Sequence, residues 1–263
     1  MSNQSSLEES MRHAYLDALG IQQWHLRESD GEDVAEEVEL QQAVIDSPVT
    51  RKVVSKEIES RETESVSVPV ANIDLDRISK MDLPSLELEV RGCDACGLHK
   101  TRKQTVFGKG HHKADWLIIG EAPGADEDRE GEPFVGRAGQ LLTQMLRAIG
   151  LAREEVFIAN ILKCRPPNNR DPKPEEVSMC NAYLNRQIEL LEPKIILALG
   201  RIAAQSLLQS DVPVGKMRGQ LYHIEKNNIP TVVTYHPAYL LRSPKEKRKV
   251  WEDLKFARKQ MIS

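Results

Sequence analysis

Trp116-Leu117-Ile118-Ile119-Gly120-Glu121-Ala122-Pro123-Gly124 decides the class of the fold. Four apolar residues in a row, stopped by a glycine and followed by a short turn, read as a strand buried on both faces with a loop at its carboxyl end. Gly136 to Ile149 then has helical spacing through Leu141, Leu142, Met145, Leu146 and Ile149. The alternation continues with strand 156–160, a helix from about Lys173 to Leu191, strand 194–199 and a helix from about Arg201 to Leu208. A possible strand near Leu221 to Ile224, strand 231–235 and a charged helix from about Pro244 to Met261 complete it. Apolar runs between amphipathic helices predict an α/β fold, an α/β/α sandwich around a central, mostly parallel four-stranded sheet. In such sheets ligand sites gather beyond the carboxyl ends of the strands.

Outward from this core the chain changes character. Residues 1–85 hold 8 Lys+Arg against 18 Asp+Glu, whereas the remaining residues hold 28 against 22. The overall charge of −4 therefore averages an acidic leader and a basic domain, and does not exclude a nucleic-acid partner. Residues 29–67 lack apolar periodicity and read as a disordered acidic linker. Before it, large apolar residues cluster between Tyr15 and Arg27, too few to form a core, so residues 1–28 read as a partner-docking peptide and 68–263 as the folded domain, with 68–90 a short ordered approach. Nowhere do 18 apolar residues occur together, and the N-terminus has no secretory pattern, so a soluble intracellular protein is expected.

Three segments follow predicted strands: Gly120-Glu121-Ala122-Pro123-Gly124-Ala125-Asp126-Glu127-Asp128, then Asn160, then His236-Pro237-Ala238-Tyr239-Leu240-Leu241-Arg242. Taken singly each is ordinary: an acidic turn, a helix cap, a structural histidine. Their common place at strand ends brings them to one crevice. The first segment carries neither a dinucleotide fingerprint nor a P-loop. Four cysteines, Cys93-x-x-Cys96 with Cys164 and Cys180, supply four thiolates; their spacing leaves zinc and an iron–sulfur cluster both open.

Together these motifs, with Glu132-Pro133-Phe134-Val135-Gly136-Arg137-Ala138-Gly139 and Leu199-Gly200, resemble the family 4 uracil-DNA glycosylases over residues 88–262. The resemblance implies a [4Fe–4S] cluster on Cys93, Cys96, Cys164 and Cys180, and hydrolysis of the N-glycosidic bond of deoxyuridine after the base is flipped from DNA. It implies that Asn160 reads the uracil edge, Phe134 stacks on the base, and His236 stabilises the departing anion. Ala122, Pro123 and Gly124 are expected to line the pocket with their backbone. Ala122 stands where the best-known branch of the superfamily has a general-base Asp, so Glu127 is expected to serve the chemistry and Glu121 to organise the pocket. Leu240 or Leu241 is expected to wedge the duplex and Arg242 to meet phosphate.

A shorter resemblance covers Ala18 to Arg27, which is similar to the N-terminal peptide of the psi subunit of bacterial DNA polymerase III. It implies docking on the chi subunit through residues 11–28 and a bacterial source, so a cytoplasmic, nucleoid-associated protein is expected; as a base-flipping enzyme it is expected to be a monomer. The rival reading is a non-catalytic replisome adaptor with a glycosylase-like fold; joint retention of Asn160, Phe134 and His236 argues against it.

Overall fold

The computed structural model describes residues 73–224, 226 and 228–262; the expected docking peptide and acidic linker lie outside them. Strands β2 (Trp116–Gly120), β3 (Phe157–Asn160), β4 (Ile195–Leu199) and β6 (Ile229–Thr234) form a parallel core in the order β3-β2-β4-β6. Two antiparallel edges widen the expected four strands to six: β1 (Lys109–Gly110) on β3 and β5 (Leu221–Ile224) on β6. The two-residue β1 is too short to show any periodicity in sequence, and it depends on Gly110, where a Cβ would stand 1.9 Å from the Val156 carbonyl oxygen.

Every residue of β2, β3 and β4 is buried, which is why these strands read as unbroken apolar runs. Alternate side chains leave for opposite layers. Leu117, Ile119, Ile196 and Ala198 pack with α1 (Leu75–Ser79), α2 (Leu83–Gly92), α5 (Pro174–Leu191) and α6 (Arg201–Leu208). Trp116, Ile118, Ile195 and Leu197 pack with α4 (Arg137–Ala148) and the long C-terminal helix Lys247–Ile262. Each buried leucine or isoleucine among them contributes about 1.5–3 kcal/mol of hydrophobic stabilisation. The expected approach at 68–90 contains two capped helices: Asp74 accepts from the Arg77 amide and Asp82 from the Ser85 amide. No helix among the described residues is long and apolar enough to cross a membrane.

The register places the site. Gly120 pairs with Asn160 and Leu199 with Thr234, so all four parallel strands end along one edge of the sheet. Past that edge, the Ile161 and Leu162 amides donate to the carbonyls of Gly120 and Glu121 at 3.0 Å, holding the two loops together.

Candidate active site

Beyond the strand ends lies a half-open cavity of about 430 Å³, within the range of small-molecule sites. Glu121, Ala122, Pro123, Gly124 and Glu127 line one side, and Phe134, Asn160, His236 and Arg242 also reach it. The far-apart motifs thus meet in one place. Pro166, Asn169, Arg170 and Asp171, from the loop after β3, and Ala138 and Tyr239 also line it. The first four lie outside the motifs singled out in the sequence; the strand-end rule, applied to the whole loop instead of Asn160 alone, points to them.

Asn160 is 1% exposed, and its Oδ1 has no hydrogen-bond partner. A buried acceptor without a donor is unfavourable unless a ligand supplies one. The side chain has room because residue 120 is glycine: a Cβ there would lie 2.4 Å from Asn160 Oδ1 and 2.7 Å from the Phe134 ring. Behind it, the buried Lys163 ammonium donates to the Asn160 carbonyl at 2.9 Å and to Gln187 Oε1 at 2.5 Å. Burial pushes that ammonium down to about 7, while Cys180 and Cys164 act against the shift.

His236 caps α8 (Pro237–Arg242), with its Nδ1 accepting from the Ala238 amide at 3.2 Å. In the neutral ring the hydrogen therefore sits on Nε2, which is a donor. Burial, aided by the Arg242 charge, pushes the imidazole down to about 4, so at neutral pH it is uncharged. Its ring lies 5.5 Å from that of Phe134, tilted by 32°.

The two carboxylates of the first motif differ in their freedom. Glu127 accepts from three backbone amides, Gly124 at 3.0 Å, Val135 at 3.0 Å and Gly136 at 3.1 Å. It ties the turn after β2 to the loop bearing Phe134. The Gly124 amide is therefore taken by Glu127 and not free for a ligand, and glycine is needed there because a Cβ would stand 2.6 Å from Glu127 Oε2. Glu121 is half-buried and its carboxyl makes no hydrogen bond among the described residues. Burial raises its pKa above the usual carboxylate range, reinforced by Asp171 and opposed by Arg201.

The two candidate wedges part company. Leu240 is 1% exposed and packs in the core, whereas Leu241 is 39% exposed.

Cys93, Cys96, Cys164 and Cys180 converge on a second, small cavity with Arg102, Lys163 and Tyr183. Arg102 donates to Cys164 Sγ at 3.1 Å. Burial pushes the Cys164 thiol up to about 11 and the Cys180 thiol up to about 12. Among the described residues no three His, Cys, Asp or Glu side chains are grouped so as to share a single metal ion; the four thiols stand around the cavity instead. Ala122 packs against the cysteine cluster and also lines the first cavity, so the two sites share a wall.

The pattern of the uracil DNA glycosylase superfamily matches residues 107–255. The chain is 46% identical over 179 residues to the type-4 uracil-DNA glycosylase of Archaeoglobus fulgidus, covering 66% of this chain and 90% of that protein. To the type-4 uracil-DNA glycosylase of Thermotoga maritima it is 45% identical over 174 residues, 64% of this chain and 89% of that one. The type-5 uracil-DNA glycosylase of Thermus thermophilus is 31% identical over 157 residues, covering 48% and 71%. With its motifs gathered in one cavity at the strand ends and a family match across more than half its length, the chain belongs to the uracil-DNA glycosylase superfamily, in its type-4 branch.

Proposed function

We propose that this protein is a uracil-DNA glycosylase that takes uracil out of the DNA stack into the strand-end cavity and hydrolyses its N-glycosidic bond. The observation that carries the reading is the buried, unpartnered Oδ1 of Asn160 in one cavity with a neutral His236 donor. Uracil offers complementary groups: N3–H donates to Asn160 Oδ1 and O4 accepts from its amide. Cytosine presents an acceptor at N3 and a donor at N4, so both contacts turn repulsive. Phe134 supplies a stacking face whatever the hydrogen bonds.

In the reaction C1′–N1 breaks, water oxygen becomes the C1′ hydroxyl, and water gives up one proton for the departing base. Negative charge gathers on uracil O2, where the His236 Nε2–H donor grows in value toward the transition state. Positive charge gathers on the sugar, where a free carboxylate is wanted. We assign that role, and the orientation of water, to Glu121, and the bracing role to Glu127, the reverse of the sequence expectation. A carboxylate filled by three amides has little left for water. Leu241 serves as the wedge into the duplex, being the exposed leucine of the pair, and Arg242 meets phosphate.

The four thiols suit a [4Fe–4S] cluster. Cys164 and Cys180 are buried and Cys93 and Cys96 half-buried, and all four line one small cavity with Arg102, whose charge offsets that of ligating thiolates. Cys93, Cys96, Cys164 and Cys180 would hold it; when bound it supplies a rigid cross-link, since this hydrolysis transfers no electron. Cys164 and Cys180 flank the loop that carries Pro166, Asn169, Arg170 and Asp171 into the base cavity.

On its psi-like sequence alone we also propose docking of residues 11–28 on the chi subunit of DNA polymerase III, which suits a monomer at the bacterial nucleoid; a peptide of residues 1–30 that fails to capture purified chi removes this part. The glycosylase itself is tested with an oligonucleotide holding one deoxyuridine, alkali cleavage of abasic product, and Asn160→Ala and His236→Ala beside wild type. Multiple turnover by the wild type, with each variant at least about 100-fold slower, is the expected result. A cluster-loaded protein that releases no uracil would sink the reading.

A further inference from the structure

Phe134, the stacking ring of the pocket proposed above, is held in a backbone conformation that its own chemistry resists. Its φ of 54° lies in the left-handed region, which a bulky L-residue adopts only under restraint from its surroundings. The peptide is also pressed close to α4, where a Cβ on Gly139 would stand 1.7 Å from the Phe134 carbonyl oxygen. On the C-terminal side the restraint is Glu127, which takes the amides of Val135 and Gly136. On the N-terminal side it is Arg153, whose Nη2 donates to the Pro133 carbonyl oxygen. Its Nη1 reaches Thr143 Oγ1 on α4 at 3.4 Å, so one planar guanidinium spans the loop and the helix beneath it.

Arg153 belongs to a single helical turn, Arg153–Glu155, ahead of β3. It is not among the residues lining the base cavity. It is half-buried, and Glu132, Glu154 and Glu127 surround it with negative charge. A side chain used only for solubility would not be aimed inward at a carbonyl next to a strained residue.

We propose that Arg153 is a positioning residue for base excision: without touching the base, it fixes the Pro133–Phe134 peptide so that the Phe134 ring lies where a flipped uracil stacks. This rests on the reading of the cavity as the uracil site. A purely structural arginine would lower thermal stability and the fraction of active protein, leaving the affinity of the remaining sites for uracil unchanged. A positioning arginine changes that affinity, and its effect disappears once the ring is gone.

The experiment measures excision kinetics on a single-deoxyuridine oligonucleotide and inhibition by free uracil, both per active site. Wild type, R153M, R153K, F134A and the double variant R153M/F134A are compared. R153M should lower kcat/KM about tenfold and raise the inhibition constant for uracil by a similar factor, the effect of one charge-assisted hydrogen bond. R153K, which keeps one charged donor for Pro133, should recover most of that loss, and R153Q, with the same expected loss as R153M, takes its place if R153M does not fold. The double variant should be no worse than F134A. An unchanged uracil inhibition constant in both Arg153 variants, or losses that add in full in the double variant, would overturn the inference while leaving the glycosylase standing. A wild type that releases no uracil would remove both.

Discussion

At Gly120 the site has no room for a single methyl group, because the space a Cβ would fill already holds Asn160 Oδ1 and the Phe134 ring. Gly120→Ala is therefore expected to cost at least about 100-fold in excision, with a far smaller change in melting temperature, measured by oligonucleotide cleavage beside thermal unfolding. Equal loss in both would mean that the glycine serves the fold alone. The charge states of two neighbours set the pH response. His236 is already neutral above about pH 4, so it does not limit activity in the mildly acidic range. Glu121 acts as a carboxylate with its pKa raised by burial. Activity should fall as pH drops through a value above the ordinary range for glutamate, and Glu121→Gln should lower kcat and abolish that limb. An acid limb unchanged in Glu121→Gln would return the role to another group.

α8 shows how one element divides its residues between folding and function. Leu240 faces the core and Leu241 faces out, one position apart on a six-residue helix. Leu240→Ala should destabilise by about 2–5 kcal/mol in denaturant titration, the cost of a large-to-small change in a packed interior. Leu241→Ala should alter stability by less than about 0.5 kcal/mol, yet slow excision from duplex more than from single-stranded DNA. Equal slowing on both substrates would remove the wedge. The sequence left the two leucines tied because a start-of-helix Leu-Leu pair has no pattern to say which side meets the core. α3 (Ala125–Glu130) escaped the sequence reading for a related reason: its residues Ala-Asp-Glu-Asp-Arg-Glu have no apolar stripe, and it forms because Glu127 caps it through the Gly124 amide. The helix at 201–208 is legible in the sequence because Ala203 and Leu207, and Ala204 and Leu208, recur four apart and pack on the same core.

Across the whole molecule, burial of His236 also couples the site to stability. Between pH 6.5 and about 4 the unfolded chain binds a proton on this histidine that the folded chain does not. Stability is thus fully present above pH 6.5 and is lost as pH falls toward 4, by up to roughly 3 kcal/mol. Denaturant midpoints across this range should show that slope in the wild type and a flatter one in His236→Gln. The layered α/β architecture, its parallel strands and the meeting of three motifs could be read from the chain, because unbroken apolar runs between amphipathic helices leave few ways to bury both faces, and strand-end loops share one edge. Resemblance added the chemistry. The division of labour between Glu121 and Glu127, the unpartnered oxygen of Asn160, the tautomer of His236 and the grip of Arg153 on Pro133 could not be read that way. Each depends on which backbone amide or carbonyl lies within hydrogen-bond reach after packing, and residues as far apart as 133 and 153 acquire that distance only when the helices and loops close over the sheet.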